Sequence, residues 1–371
     1  IQINPIVLRQ CRVQMGLDIA DVKKQVPGIE AIEKGDKSPT IKQMDTLSKL
    51  YNVPRWVFIS QELPEKYQYD SVIPAFRVFA ANNASLFDHH SIRAITARIE
   101  RIRELVLEFH EDMDTPLQPF CPPDIGKYRS IEELAAAIRE WLDIPQGRLD
   151  FCQWKMKLEA KGVFVFMTSK YPDWSHVDRE VLRGMAMYHP VLPIIVINDA
   201  DYTKAQNFTL IHELGHLLKK ETAINDWSSD RQQEKWCDTL AGNVLLPAEL
   251  INSMAARIVD LDSVKKIANT TNASVYACLV RLRQIGLVSQ DAYMSLEREL
   301  KHEYEELRKK QKKNNGGVSR NRAQEILAQY GVICTRTLFQ AYYNKEIELN
   351  TLGRLFNLKK ISCVMEMEQQ L

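Results

Sequence analysis

The sequence lacks any apolar run of the roughly 18 to 20 residues that a bilayer-spanning helix needs, so a membrane partner is not expected. It has no CxxC pair: its seven cysteines are odd in number and scattered. That argues against a disulfide scaffold and a cysteine-rich zinc site, and favours a reducing cytoplasm. Charge of one sign is also missing. Forty-nine Lys and Arg stand against 48 Asp and Glu, a net of +1, so no whole-molecule electrostatic grip on nucleic acid or anionic lipid is indicated. Ile1 to Pro5 carry no basic patch, apolar core or cleavage site of a signal peptide, which again predicts a cytoplasmic chain; there is no initiator Met, so residues can precede Ile1. What is present is the balance of a folded protein, with 45% apolar and 26% charged residues. At 371 residues, two or three domains are expected.

Residues 1–64 read as a small helical unit. Residues 65–130 read as a connector followed by a long amphipathic helix from Ser85 to Glu111, with Ile92, Ile95, Ile99, Ile102, Leu105 and Phe109 as its stripe. Helices over 131–142 and 149–160 then open a domain that runs to residue 290. Within it the period changes. Residues 162–167, 181–188 and 193–198 read as strands, the last of them β-branched, apolar and placed at or near an edge of the sheet. Helices follow over 203–219 and 229–246, and two short ones with helix-turn-helix-like spacing lie within 263–290. Arg281 and Arg283 on the second could face nucleic acid, though packing over the domain is the plainer expectation. A charged helix over 297–313 runs into Asn314-Asn315-Gly316-Gly317, a linker by composition, so 291–371 reads as a charged helix, linker and small helical C-terminal segment. The basic run Arg308 to Lys313 reads as a solvated helix end.

The sharpest chemical signal is His212-Glu213-Leu214-Gly215-His216 on a predicted helix. Four residues advance a helix by about 400°, so the two imidazoles point within about 40° of one another and can face one ion. Glu213 can then reach water at that ion as general base. A chance HExxH in a chain this long is on the order of one in a hundred. A catalytic zinc wants three protein ligands and one open position. The next helix offers Glu234 and Asp238, one turn apart on one face. Glu234 is the better third ligand, and Asp238 suits the free N–H of a ligating histidine. Glu221 and Asp226 compete from the connection between the helices. Cys237 is a soft alternative but shares a direction with Leu240, Ala241 and Val244 and reads as core. Tyr188, His189 and Tyr276 are candidate oxyanion donors. Zinc, a base and a strand edge that an extended chain can join point to amide hydrolysis.

These segments resemble the ImmA/IrrE family of metallo-endopeptidases. The resemblance is carried by VLRG (181–184), PIIVIN (193–198), TLIHELGHLL (209–218) and EKWCDTLAGNVLLP (234–247). It implies an α+β, mostly helical fold with a zincin-like peptidase core around a small three-stranded sheet. It also implies one zinc per chain on His212, His216 and Glu234, with Glu213 as general base. Cys237-Asp238 stand where the family often has Ala-Asn, which leaves the ligands intact. Upstream, IEAIEKGDKSPT (29–40) resembles the XRE-type helix-turn-helix domain found ahead of the peptidase in one branch of that family, in which the connector IPAFR (73–77) and the long helix recur. The resemblance implies regulated cleavage of one DNA-binding repressor or toxin partner encoded nearby, in a bacterial or phage setting. DNA contact through residues 1–64 is weakly supported, since nine Lys and Arg face seven Asp and Glu there. The rival reading is a transcriptional regulator or antitoxin-like binding protein that uses the peptidase fold for docking; a zinc hydrolase of another amide ranks behind it.

Overall fold

Asn4 opens the first helix. Its side-chain oxygen accepts from the amides of Ile6 and Val7, and Pro5 in the first turn has no N–H to leave orphaned. The computed structural model describes residues 2–371 except 65–66, 68–74, 77–85, 145–147, 172, 180, 221–230, 255–258, 312–320 and 359, and the side chains of 75–76, 86–90, 231 and 305–311. Helices α1 (Pro5–Gln14), α2 (Ile19–Gln25), α3 (Ile29–Lys34) and α4 (Ile41–Leu50) make the N-terminal unit. Gly35 ends α3 at a φ of 84°, and Thr40 with Gln43 closes a capping box on α4. A 3-10 turn over Arg55–Ile59 follows α4. Val7, Leu8, Ile29, Ile32, Leu47 and Phe58 share a core of their own that ends at Tyr67.

This unit meets the rest of the chain on α5 (Leu86–Asp112), where Arg93 donates to the Gln14 carbonyl and Arg101 lies over the Tyr67 ring. Next come α6 (Ile131–Trp141) and α7 (Phe151–Ala160). The three expected strands form, as β2 (Phe164–Met167), β3 (Gly184–Met187) and β4 (Ile194–Ile197). A fourth, β1 (Ala75–Phe76), joins them. It is the part of the IPAFR motif that lies within the described residues; Ile73, Pro74 and Arg77 fall outside them. The sheet order is β1-β3-β4-β2, with β2 and β4 parallel and the other pairs antiparallel.

Side chains alternate across the sheet. Val165, Met167, Ala186, Ile195 and Ile197 join one core with α8 (Thr203–Leu218), α9 (Arg231–Leu245), α10 (Ala248–Met254), α11 (Leu261–Thr271) and α12 (Val275–Gln284). Phe164, Phe166, Met185, Ile194 and Val196 join a second with α5 and the C-terminal helices. Both faces are covered, which explains why β4 reads as an unbroken apolar run. Residues 194–198, expected at or near an edge, lie one strand in: β4 sits between β3 and the edge strand β2, and β1 lies on the outer side of β3.

The charged helix begins earlier than its composition suggested, as α13 (Gln290–Gln311), because Tyr293, Leu296 and Leu300 anchor its first turns in the core. The glycine linker at 314–317 lies outside the described residues. Beyond it, α14 (Arg322–Tyr343), α15 (Leu349–Leu355) and α16 (Ile361–Glu368) are packed against the sheet. Tyr330 of α14 stands edge-on to Phe166 of β2, 5.4 Å between ring centres. Gly331 breaks α14 at a φ of 70°. Glu159 accepts from the Val332 amide at 3.0 Å and Lys155 donates to the Ala328 carbonyl, so one buried pair on α7 satisfies both sides of the break. Burial pushes the Glu159 carboxyl up and the Lys155 ammonium down. No described helix is long and apolar enough to cross a membrane.

Candidate metal centre

Helix α8 runs through the first core, with Leu210, Ile211, Leu214 and Leu217 among its apolar contacts. His212 and Glu213 are fully buried and His216 nearly so. Buried polar groups in such a place need partners. The two imidazole Nε2 atoms are 3.2 Å apart. Glu234, in the first turn of α9, brings Oε2 to 3.2 Å of His212 Nε2 and Oε1 to 3.5 Å of His216 Nε2. Asp238, one turn on, holds its Oδ1 2.9 Å from His212 Nδ1. A carboxylate only accepts, so Nδ1 carries the proton and the Nε2 lone pair faces His216 and Glu234.

The donor set fits a metal ion. Around a tetrahedral ion with bonds near 2.0–2.1 Å, ligand atoms sit about 3.3 Å from each other. The two histidine nitrogens are 3.2 Å apart, and each has a Glu234 oxygen, Oε2 or Oε1, at 3.2 or 3.5 Å, close to that value. Among the described residues, this trio is the group of three His, Cys, Asp or Glu side chains placed to share an ion.

Two glycines make the arrangement possible. A Cβ on Gly215 would lie 3.0 Å from Cys237 Sγ, so the glycine within HExxH lets α9 close on α8 and carries Glu234 and Asp238 to the histidines. A Cβ on Gly184 would run into Thr209 Cγ2 and lie 2.9 Å from Glu213 Oε1. The first residue of β3 therefore presses its bare backbone on the glutamate beside the trio. Asn198 fixes that approach, donating to the carbonyls of Val177 and Leu182 at 2.9 and 2.8 Å. The roles of Gly184, Gly215 and Asn198 were not read from the sequence. Gly184 and Gly215 lie within the segments that carry the family resemblance, but only the packing distances show what they do.

Of the competing ligands, Glu221 and Asp226 lie outside the described residues, and Cys237 is buried against Gly215. The candidate oxyanion donors lie just beyond β3 and on α12. His189 pairs with Glu100 of α5 at 2.9 Å. Tyr276 is half exposed, its hydroxyl 3.5 Å from that of Tyr293. Tyr188 packs on the first core, four residues and about 13 Å of strand from Gly184. Arg281, weighed above as a nucleic-acid contact, is buried instead, bonded to the Leu246 carbonyl and Asn243 at the end of α9. Arg283 lies over the Tyr293 ring.

Residues 161–283, about a third of the chain, match the family model of the IrrE N-terminal-like domain, a peptidase family. The matched stretch holds β2 to β4, the HExxH helix and α9, and the match supports both the ImmA/IrrE resemblance and a metallopeptidase. It does not reach the N-terminal unit or the C-terminal helices. No curated protein matches the chain.

Proposed function

We propose that this protein is a zinc-dependent endopeptidase of the cytoplasm that acts in regulation, cutting one DNA-binding repressor or toxin partner. The observation that carries the reading is the convergence of two imidazoles and one carboxylate near tetrahedral spacing, with Glu213 next in sequence and pressed by Gly184 of β3. Two nitrogens and an oxygen suit zinc. His212, His216 and Glu234 would hold one ion per chain. When bound, that ion supplies Lewis-acid polarisation of a carbonyl and makes water a nucleophile near neutral pH.

The chain's own residues do the rest. Asp238 keeps His212 in the tautomer whose Nε2 is free to ligate. Glu213 takes the proton of the attacking water and returns it to the leaving amine. The buried floor of α8 keeps bulk water off Glu213.

Residues 1–64 act in this reading as a docking unit for the protein partner. Both acidic residues of α3 hold cations of the same unit, Glu33 with Arg12 at 2.7 Å and Glu30 with Lys23 at 3.1 Å. Arg12 is largely buried in its pair and Lys23 is paired at the surface, so both cations are already engaged by carboxylates, which suits protein contact better than phosphate contact.

The test is direct. Protein purified without chelators should hold close to one zinc per chain by elemental analysis. Glu213→Gln should keep the zinc and lower kcat by about 10²–10⁴-fold. Absence of bound metal, or wild-type turnover in the Glu213→Gln variant, would sink the reading.

A further inference from the structure

Helix α9 carries Glu234 and Asp238, and its far end is held from two sides. Arg139 of α6 donates to the Val244 carbonyl at 2.7 Å, and Arg281 of α12 to the Leu246 carbonyl at 3.0 Å. Cations suit the last turn of a helix. Glu234 lies ten residues before Val244. That is about 15 Å along the axis, so a tilt of about 4° moves Glu234 by about 1 Å. Metal–ligand distances tolerate only about 0.2 Å. Cys237 against Gly215 sets the gap between α9 and α8. That contact, on one line, does not by itself stop α9 from rolling about its axis. Trp236 is turned by about 100° from Cys237 around the helix, and is half-buried on its flank. There Lys219 Nζ stands over the Trp236 ring, 4.5 Å from its centre. Lys219 closes α8 three residues after His216, its amide bonded back to the Gly215 carbonyl. The stack therefore ties the turn that follows one ligand to the turn that holds another.

We propose that Lys219 and Trp236 are positioning residues of the metal centre. Their stack fixes the roll of α9, and with it the place of the Glu234 carboxylate. Neither side chain is a ligand; both act through Glu234. The proposal rests on the zinc reading of the trio above, and not on what the protein cleaves. Two effects of the lysine oppose each other. Removing a positive charge from beside a cation site, taken alone, tightens metal binding. Losing the stack lets Glu234 leave its place and loosens metal binding. A weaker site after removal of the lysine charge therefore reports position and not charge.

The experiment reads the metal, so that it does not depend on turnover. The zinc dissociation constant of the full-length protein is measured by competition with a chromophoric chelator at fixed pH. Lys219→Met should weaken zinc about threefold to fivefold, the range of a part-exposed cation–π contact. Trp236→Leu should weaken it about tenfold, as loss of a group that supports a ligand does. Lys219→Arg and Trp236→Phe keep a cation over a ring and should stay within about twofold of wild type. Cobalt(II) reports the same geometry by its spectrum. Cobalt-loaded Trp236→Leu should lose visible absorption relative to cobalt-loaded wild type, because a tetrahedral ion loses a donor. Urea midpoints are measured in parallel on metal-free protein. A stack that only stabilises the fold lowers those midpoints and leaves the zinc constant and the cobalt spectrum unchanged, and that result overturns the proposal. So does tighter zinc binding by Lys219→Met, the charge effect alone. If Trp236→Leu fails to fold, Lys219→Met and its Arg rescue at the helix end still decide the matter. A wild type that binds no zinc overturns this proposal and the function reading together. Unchanged variants of a zinc-binding wild type overturn this proposal alone.

Discussion

Glu213 and Gly184 are a pair of constraints rather than two independent residues. The glutamate can lie where it does because the strand above it has no side chain at that point. A methyl group on Gly184 meets Thr209 Cγ2 and comes within 2.9 Å of Glu213 Oε1, and both neighbours belong to buried α8. Neither can swing into solvent. Gly184→Ala should therefore cost about 1–3 kcal/mol in urea unfolding, the usual range for overpacking a filled site. It should also lower kcat while leaving bound metal near the wild-type level, because His212, His216 and Glu234 are held by α8 and α9 and not by β3. Loss of metal in step with activity would show that the strain travels to the ligands instead.

The break in α14 depends on two elements far apart in sequence. Gly331 takes a φ of 70°, and the Glu159 carboxylate fills the place of a Cβ there. Gly331→Ala should cost about 2–4 kcal/mol, from the left-handed conformation and the overlap together, read as a lower urea midpoint at unchanged slope. A variant as stable as wild type would mean that α7 and α14 separate freely. Nothing local announces this contact. Lys155 and Glu159 look like an ordinary i,i+4 surface pair until Gly331, far along the chain, is folded onto them. The HExxH helix and its partner helix were legible because helical spacing is local and the ligand chemistry is short-range. Strands β2 to β4 were legible as apolar, bounded runs. β1 was not, since its two described residues, Ala75 and Phe76, show no alternation. The sequence placed β4 at or near an edge but could not say which strands flank it, because pairing order is set by the fold and not by what a strand contains. The same holds for α14 to α16, whose apolar stripes mark them as helices without saying that they cover the second face of the sheet.

The assembly of these parts decides what is free to act as cover. The C-terminal helices close the sheet's second face in one core with β2 and β4, so they belong to the scaffold of the centre. The N-terminal unit has its own core and meets α5 through contacts such as Arg93, Ala94 and the Arg101–Tyr67 stack. Deleting residues 1–64 should accordingly leave a folded, zinc-loaded remainder by calorimetry and elemental analysis, with partner cleavage lost. Full partner cleavage by that remainder would remove the docking role. Between the two, Ala75 and Phe76 lie on the outer side of β3. A cytoplasmic endopeptidase open to every unfolded chain would degrade any it met. Zinc-loaded wild-type protein should therefore leave casein and random peptides intact over hours, and cleave only a partner that docks. The assay is casein hydrolysis with and without chelator. Brisk, chelator-sensitive digestion of many peptides would replace the regulatory reading with a general protease. Silence toward casein, joined to silence toward every neighbour-encoded protein, would move the weight to a regulator that keeps the peptidase fold for docking alone.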